Sequence, residues 1–384
     1  MTSILPTYGP RPVTFVSGRG TRLEDADGVE YLDCVGGIAT VALGHCHPAP
    51  IEAFARQAAT LGHVSNLYGT QPAIDLADRL LAVTGFSEGG VFFCNSGAEA
   101  NEAAIKLARR RGRGIADDKV EVVALERAFH GRTLGALAAT WARAKKDPFE
   151  PLPPGFRHVP PNDGAALAAA VSPRTAAILI EPIQGEGGVW PIDPGYLTLA
   201  RELADRSGAL LIFDEVQTGI GRTGAWFRFQ DVGVTPDALC LAKGLGSGLP
   251  IGALVTRSQV GGFIPGDHGT TFGGSPPIAA GALAVLDTIE REGLIENVRL
   301  VGSELAAALR EVPGVGGVRG AGLLLGVELE RADAAPLATR LLHGQRVIVN
   351  AVTPTALRIC PPLVFSRADG RVLVDALTEE LVSA

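Results

Sequence analysis

The chain has 384 residues, 46% of them apolar, with 34 basic and 41 acidic side chains and a formal charge of −7. That length supports two or three domain-sized cores and excludes a disulfide-stapled miniprotein or a disordered tail. The acidic balance leaves no surplus of cations to neutralise a polynucleotide backbone, so nucleic acid is excluded as a partner.

Five cysteines at 34, 46, 94, 240 and 360 form no CxxC pair. They read as reduced thiols suited to a cytoplasmic location, not as a disulfide ladder or zinc ribbon. The opening MTSILPTYGPRPV shows no basic region ahead of an apolar core, so no signal peptide is expected. The uncharged stretches 34–51, 57–74 and 268–286 are each broken by polar residues, Pro or Gly, so no membrane segment is expected either.

In chain order, Phe15–Ser17 and Glu30–Leu32 read as edge strands separated by the turn Ala26–Asp27–Gly28. Helical spacing of apolar residues follows at Ile51–Leu61 and Gln71–Val83, and later at Ala98–Arg111, Ala166–Ala170 and Tyr196–Ser207. Between these helices stand short apolar runs: Gly90–Cys94, Val120–Leu125, Ala176–Ile180, Ala209–Phe213, Ala238–Leu241 and Gly252–Thr256. Such alternation predicts an α/β fold around a buried, mostly parallel sheet.

After about residue 276 the rhythm changes. A long helical pattern over Ile278–Val312 precedes a strand at Gly322–Leu329, a helix near Ala334–Leu342, strands at 347–352 and 356–360, and a helix from Arg367. The expected organisation is a large sheet domain over 51–276 and a smaller α+β domain formed by both chain ends, 1–50 and 277–384. The Pro-rich piece 148–161 is too short to be a linker between independent modules.

Lys243 is one of only five lysines and directly follows a buried-strand pattern, where partial desolvation would favour a neutral amine able to act as nucleophile or base. A strand-end lysine that snorkels to water explains the same position. The other four lysines lie in polar surroundings. Asp214 closes the run 209–213, at the strand end where open α/β sheets bind ligands. There it could serve a metal, a sugar hydroxyl or a protonated ring nitrogen, or equally cap a helix or pair with the arginine of the following Gly-Ile-Gly-Arg turn.

Asn95–Ala100 opens a helix after a strand, with Ser96 and Glu99 at capping-box spacing and Gly97 permitting close approach. This is a phosphate site or a plain capped helix. Phe129 and Arg132 place an aromatic face beside a guanidinium, fit for stacking and for gripping a carboxylate. His268–Thr271 is a polar Gly-rich turn. The cluster His45–Cys46–His47 reads as structural, since ligands so adjacent seldom complete a metal site, and no metal is expected.

In order and in register, nine segments resemble the class III aminotransferases of the fold-type I pyridoxal phosphate family, and within it the acetylornithine branch. They are GGIATVALGHCHP (36–48), HVSNLYGTQP (63–72), FFCNSGAEANEAAIKLAR (92–109), AFHGRT (128–133), EPIQGEGG (181–188), LIFDEVQTGIGRTG (211–224), LAKGLGSGLPIGA (241–253), HGTTFGGSP (268–276) and LRICPPL (357–363).

The resemblance implies that the larger domain binds pyridoxal 5'-phosphate, joined through the ε-nitrogen of Lys243, with Asp214 keeping the ring nitrogen protonated. It implies further that Glu215 and Val216 belong to the cofactor-binding segment, that Gln217 touches the phenolic oxygen and that Phe129 stacks on the ring. Gly97 and Ala98 would give N–H groups to the phosphate, and Thr271 would reach the cofactor of the neighbouring subunit in a homodimer with shared active sites.

For substrates the resemblance points to Arg358 for the α-carboxylate of glutamate or 2-oxoglutarate, with Glu186 neutralising it when the other substrate binds. Arg132 would hold the far carboxylate of acetylornithine, with the partner's Thr270 nearby. The implied reaction carries the δ-amine of N2-acetyl-L-ornithine to 2-oxoglutarate, a step of arginine biosynthesis. Ornithine, succinylornithine, 4-aminobutyrate and succinyl-diaminopimelate transaminases are the rivals within the fold. A glutamate-1-semialdehyde aminomutase is the rival from another reaction class, against which Arg358 and Glu186 argue.

Overall fold

The computed structural model describes residues 3–9 and 11–382. The apolar runs of the middle of the chain assemble into one seven-stranded sheet, in the spatial order Gly90–Cys94, Gly252–Thr256, Ala238–Leu241, Leu210–Asp214, Thr175–Ile180, Glu121–Leu125 and Phe156–Val159. The last five run parallel to one another, while Gly252–Thr256 is antiparallel to both strands beside it. Strand 210–214 is buried throughout because both faces are covered. Leu210 and Ile212 pack beneath helix Gly97–Arg113, and Leu211 and Phe213 enter the larger core on the other side. Burial on two faces is why these strands read as unbroken apolar runs rather than as alternations.

Helix Gly97–Arg113 lies close on the sheet through small side chains, Ala100, Ala103, Ala104 and Ala108 all being fully buried. Its approach is tightest at Gly112, where a Cβ would stand 2.1 Å from the Lys119 carbonyl oxygen. The expected capping box is half realised. Ser96 Oγ accepts from Glu99 N at 3.2 Å, but Glu99 accepts from Asn95 N and Nδ2 at 2.6 and 2.9 Å, one residue further back.

Two further sheets draw on the ends of the chain. One joins Phe15–Arg19, Arg22–Asp25 and Glu30–Asp33 to Val347–Ile348, with Val347 opposite Leu32. The other comprises Val315–Ala321, Leu324–Leu329, Ala356–Ile359 and Asn350–Ala351.

The structure corrects several expectations. The two N-terminal strands do not pair directly, because Arg22–Asp25 lies between them, and the turn at 26–28 joins that strand to Glu30–Asp33. The long pattern 278–312 is two helices, Pro276–Arg291 and Leu294–Arg310, separated where Gly293 takes a left-handed φ of 62° that ends one helix and begins the next. The Pro-rich piece contains the edge strand Phe156–Val159. His45 Nε2 lies 2.7 Å from Asp33 Oδ2, and His47 Nδ1 accepts from Ala49 N at the start of helix Pro48–Thr60. Among the described residues no group of three or more His, Cys, Asp or Glu is arranged to hold a metal, and no helix is long and apolar enough to cross a membrane.

Lys119 is not in polar surroundings. It is 1% exposed, and its Nζ donates to the carbonyl oxygens of Pro173, Thr175 and Ser207 at 3.2, 2.6 and 2.7 Å, stapling three chain segments at the lower edge of the sheet. Replacing it strands buried acceptors, each worth about 1–3 kcal/mol. Lys119→Met should therefore lower the thermal midpoint by several degrees while leaving ligand binding at the opposite end of the sheet unchanged; an undiminished midpoint would refute the stapling role.

Candidate active site

The carboxyl ends of the central strands converge on a cavity of about 410 Å³. Strand 90–94 delivers the helix start at Gly97 and Ala98, strand 121–125 delivers Phe129 and His130, and strand 175–180 delivers Glu181. Strand 210–214 ends in Asp214, and strand 238–241 leads to Lys243. This is where a parallel sheet leaves a crevice, since the helices that follow each strand pack back against its faces.

Asp214 is 4% exposed. Its Oδ2 accepts from Asn101 Nδ2 and pairs with His130 Nδ1, both at 2.8 Å, while Oδ1 accepts from Val216 N at 3.1 Å. The expected alternative partner, the arginine of the Gly-Ile-Gly-Arg turn, is elsewhere: Arg222 donates to the carbonyls of Leu323 and Pro361. Asp214 is thus an anion fixed by three donors with its far side open to the cavity. His130 Nε2 and Asn101 Oδ1, which flank it, are buried and meet no hydrogen-bond partner among the described residues.

Lys243 sits across the cavity in a left-handed conformation, φ 40°, which a lysine adopts only when its surroundings impose it. Burial lowers its pKa, the Arg358 guanidinium adds to that, and the carboxylates of Glu186, Asp214 and Glu181 oppose it. The net effect holds the ammonium below its ordinary pKa, so the neutral, nucleophilic amine is easier to reach than at a solvated lysine.

At the helix start, Ser96 takes Glu99 N on its hydroxyl and Ala100 N on its carbonyl, which leaves the N–H groups of Gly97 and Ala98 without an intrahelical acceptor. Only glycine fits at 97, because a Cβ there would stand 2.8 Å from Val216 Cγ1. An anion at this point would meet two free donors and the positive end of the helix.

Arg358 is 1% exposed and lies on strand Ala356–Ile359, opposite Asn350 in register. Its Nη1 is paired with Glu186 and donates to Gln217 Oε1 at 3.3 Å, while Nη2 donates to Asn350 Oδ1 at 2.6 Å. Burial opposes the ionisation of Glu186, yet Arg358 outweighs it and holds that carboxyl below its ordinary range. Gln217 can approach only because residue 185 is glycine: a Cβ there would come within 1.9 Å of Gln217 Oε1.

The remaining expected residues divide. Phe129 and Val216 line the cavity, as does Arg132, an exposed side chain whose guanidinium carbon stands 5.7 Å from the centre of the Phe129 ring. Glu215 turns away and lines no part of the cavity. Its carboxylate, pushed up to about 7 by burial, accepts from Thr218 Oγ1, Arg228 N and Phe229 N and so caps helix Arg228–Val232. Successive residues beyond a strand end point to different sides, which is why Asp214 and Glu215 part company. Thr270 and Thr271 also lie outside this chain's cavity. Their loop is held by Asn66 Nδ2, which donates to the carbonyls of Thr270 and Gly273 at 3.0 and 3.1 Å, and Thr271 is exposed.

Among the cavity-lining residues not singled out from the sequence are Asn101, His130 and Glu181. Glu181 carries the signal that flagged Asp214, an acid closing a buried strand. Asn101 stands one helical turn beyond Gly97, hence on the same face. His130 had no signal apart from its neighbour Phe129.

A family model described as aminotransferase class-III matches residues 6–381. An acetylornithine aminotransferase of Mycolicibacterium smegmatis is 48% identical over 99% of this chain and 96% of its own length, and one of Streptomyces coelicolor is 50% identical over 94% and 89%. Among solved structures, the ornithine aminotransferase of Toxoplasma gondii, described with pyridoxal phosphate at its active site, superposes with a TM-score of 0.94 at 33% identity, covering 99% of this chain and 92% of that one. The N-acetylornithine aminotransferase of Stenotrophomonas maltophilia gives 0.84 at 33% identity, covering 98% and 97%.

A lowered amine pKa inside an open cavity has a chemical signature. Treated at neutral pH with limiting formaldehyde and cyanoborohydride, the unliganded chain should be alkylated at Lys243 ahead of its other four lysines, as read by peptide mass spectrometry. Preferential labelling elsewhere would contradict the electrostatics assigned to the site.

Proposed function

The chain belongs to the class-III aminotransferases, and from that premise we propose that it is the pyridoxal phosphate-dependent transaminase that carries the δ-amino group of N2-acetyl-L-ornithine to 2-oxoglutarate. The products are N-acetyl-L-glutamate 5-semialdehyde and L-glutamate. The observation that carries this reading is the pairing of Arg358, buried just behind the cavity wall, with Glu186, which lines the cavity together with Lys243 and Asp214.

The donor set suits pyridoxal phosphate. A buried carboxylate with an open side matches a protonated ring nitrogen, the free N–H groups of Gly97 and Ala98 match a phosphate, Gln217 matches a phenolic oxygen, and Phe129 offers a flat apolar face. When bound, the cofactor supplies an electron sink for the charge that develops at the substrate carbon bearing the nitrogen.

The protein's own part is electrostatic and positional. Asp214, fixed by His130 and Asn101, keeps a proton on the facing nitrogen because loss of that proton would leave the buried anion uncompensated. Lys243 Nζ, held toward its neutral form, anchors the cofactor and takes a proton from the substrate carbon. Arg132, at the rim, grips the far carboxylate of acetylornithine while Glu186 occupies Arg358. When glutamate or 2-oxoglutarate enters, Glu186 releases Arg358 to the α-carboxylate. A charge that is available only to one substrate discriminates between two ligands that must share one site.

Thr270 and Thr271 complete the reading as residues that serve the site of a second copy, in a homodimer. The exposed apolar side chains Leu67, Tyr68 and Phe272 near that loop support it, since such a surface calls for a covering partner.

Steady-state comparison of acetylornithine, ornithine, 4-aminobutyrate and succinyl-diaminopimelate, each with 2-oxoglutarate, should give acetylornithine the highest kcat/KM; equal constants for all four would undo the substrate choice. Asp214→Asn preserves the size of the side chain and removes its charge. Turnover should fall on the order of a hundredfold or more, and wild-type turnover in that variant would contradict the role given to the carboxylate.

A further inference from the structure

We propose that Glu181 is a positioning residue for this reaction: its carboxylate ties the turn that carries Phe129 to the turn that carries Glu186, and so sets how readily Glu186 releases Arg358. The proposal rests on the functional reading above and deepens it.

Glu181 directly follows strand Thr175–Ile180, is 6% exposed and lines the cavity. Oε1 accepts from Phe129 N at 2.9 Å, and Oε2 accepts from Gly185 N at 3.3 Å. One carboxyl group therefore bridges two turns that emerge from different strands. The second turn is the sensitive one. Gly185 lies against Gln217 and Glu186 follows it onto Arg358. The base of this turn is held by the pairing of Ile183–Gln184 with Trp190–Pro191, by Gly188 N and Val189 N on the Gly185 carbonyl, and by Arg319 Nε on the Gly188 carbonyl. The Glu181 carboxylate holds the Gly185 N–H directly beside Glu186.

The two donors are met by two full acceptor oxygens in the ionised carboxylate, whereas protonation makes one of them a hydroxyl, a poorer acceptor that carries its own donor. A protonated carboxyl keeps one acceptor for the shorter bond to Phe129 and turns an O–H toward Gly185 N, where a second donor is repelled. Adding a proton to Glu181 thus frees the Glu186 turn while leaving Phe129 in place.

The ionisation falls within the working range. Burial pushes the Glu181 carboxyl up to about 7, Asp214 adds to that, and His130, Phe129 N and Lys243 oppose it. These groups face Glu181 from the turn after strand 121–125, from the end of strand 210–214 and from the segment after strand 238–241. The sign follows. Above about pH 7 the bridge is made, Glu186 stays on Arg358 and the acetylated donor is read; as pH falls through 7 the bridge opens and Arg358 turns to dicarboxylates.

The test uses the cofactor-loaded enzyme and two readouts. The first is the ratio of kcat/KM for acetylornithine to that for glutamate between pH 6 and 8.5. The second is the dissociation constant of glutarate, an unreactive dicarboxylate, measured by calorimetry. In the wild type the ratio should rise several-fold with pH, and glutarate should bind several-fold more tightly at pH 6 than at pH 8. Glu181→Gln should hold both quantities near their low-pH values at every pH. Unchanged pH profiles for both readouts in that variant would overturn the proposal.

If Glu181→Gln does not fold, Glu181→Asp keeps the charge but is too short to reach both N–H groups. With the bridge unmade at every pH it should give a lowered ratio that no longer rises with pH, and a wild-type ratio and pH profile there would equally overturn the proposal. Should the wild type turn over none of the donors, the functional reading fails on its own, and the pH dependence of glutarate binding still decides the role of Glu181.

Discussion

The site is organised around an anion taken out of water. Burying the Asp214 carboxylate costs several kcal/mol unless donors replace its hydration. The three that do so come from separate places: Asn101 from the long helix, His130 from the turn after strand 121–125, and Val216 from its own chain just beyond the strand. Their convergence requires the spatial order of strands that the sheet adopts. Strand 210–214 lies centrally, so helix 97–113 can pack beneath it and the turn at 129–131 can reach across its end. Once that carboxylate is fixed, the remaining open direction is the cavity, where Lys243 stands.

Lys243 shows the same logic with opposite charge. Its left-handed backbone and desolvated amine are unfavourable in isolation and are sustained by the packed segment around them. Glu186, Asp214 and Glu181 partly restore the charged form, while Arg358 and burial remove it. A buried amine set between an arginine and three acids is the kind of perturbed group that marks a functional site.

The second sheet contributes what the central sheet lacks. Arg358 and Asn350 sit opposite one another on its short antiparallel pair; Asn350 accepts from Arg358, whose guanidinium also meets Glu186 and Gln217, residues of turns of the central sheet. A buried guanidinium needs partners, and Glu186, Gln217 and Asn350 supply them here. The absence of a side chain at Gly185 is what lets Gln217 join them.

Much of this was legible from residue order alone. Gly90–Cys94, Ala238–Leu241 and Gly252–Thr256 fall within their predicted limits because strands covered on both faces leave continuous apolar runs. Asp214 and Lys243 stood out because each is a charge at or just beyond the end of such a run, where an open α/β sheet leaves its crevice. Other features depend on atoms far apart in the chain, which a local pattern does not encode.

Lys119 has polar neighbours in sequence, yet tertiary packing folds three carbonyl groups over it. Glu215 follows Asp214 and shares its chemistry, but the direction of its side chain was settled by where helix 228–232 begins. His130 and Asn101 acquire meaning only through their contact with Asp214. Composition and periodicity thus determined the sheet, most of its strands and the two ionisable residues that end them. The partners of those residues were decided by three-dimensional proximity, since hydrogen bonding acts over about 3 Å of space and is indifferent to separation along the chain.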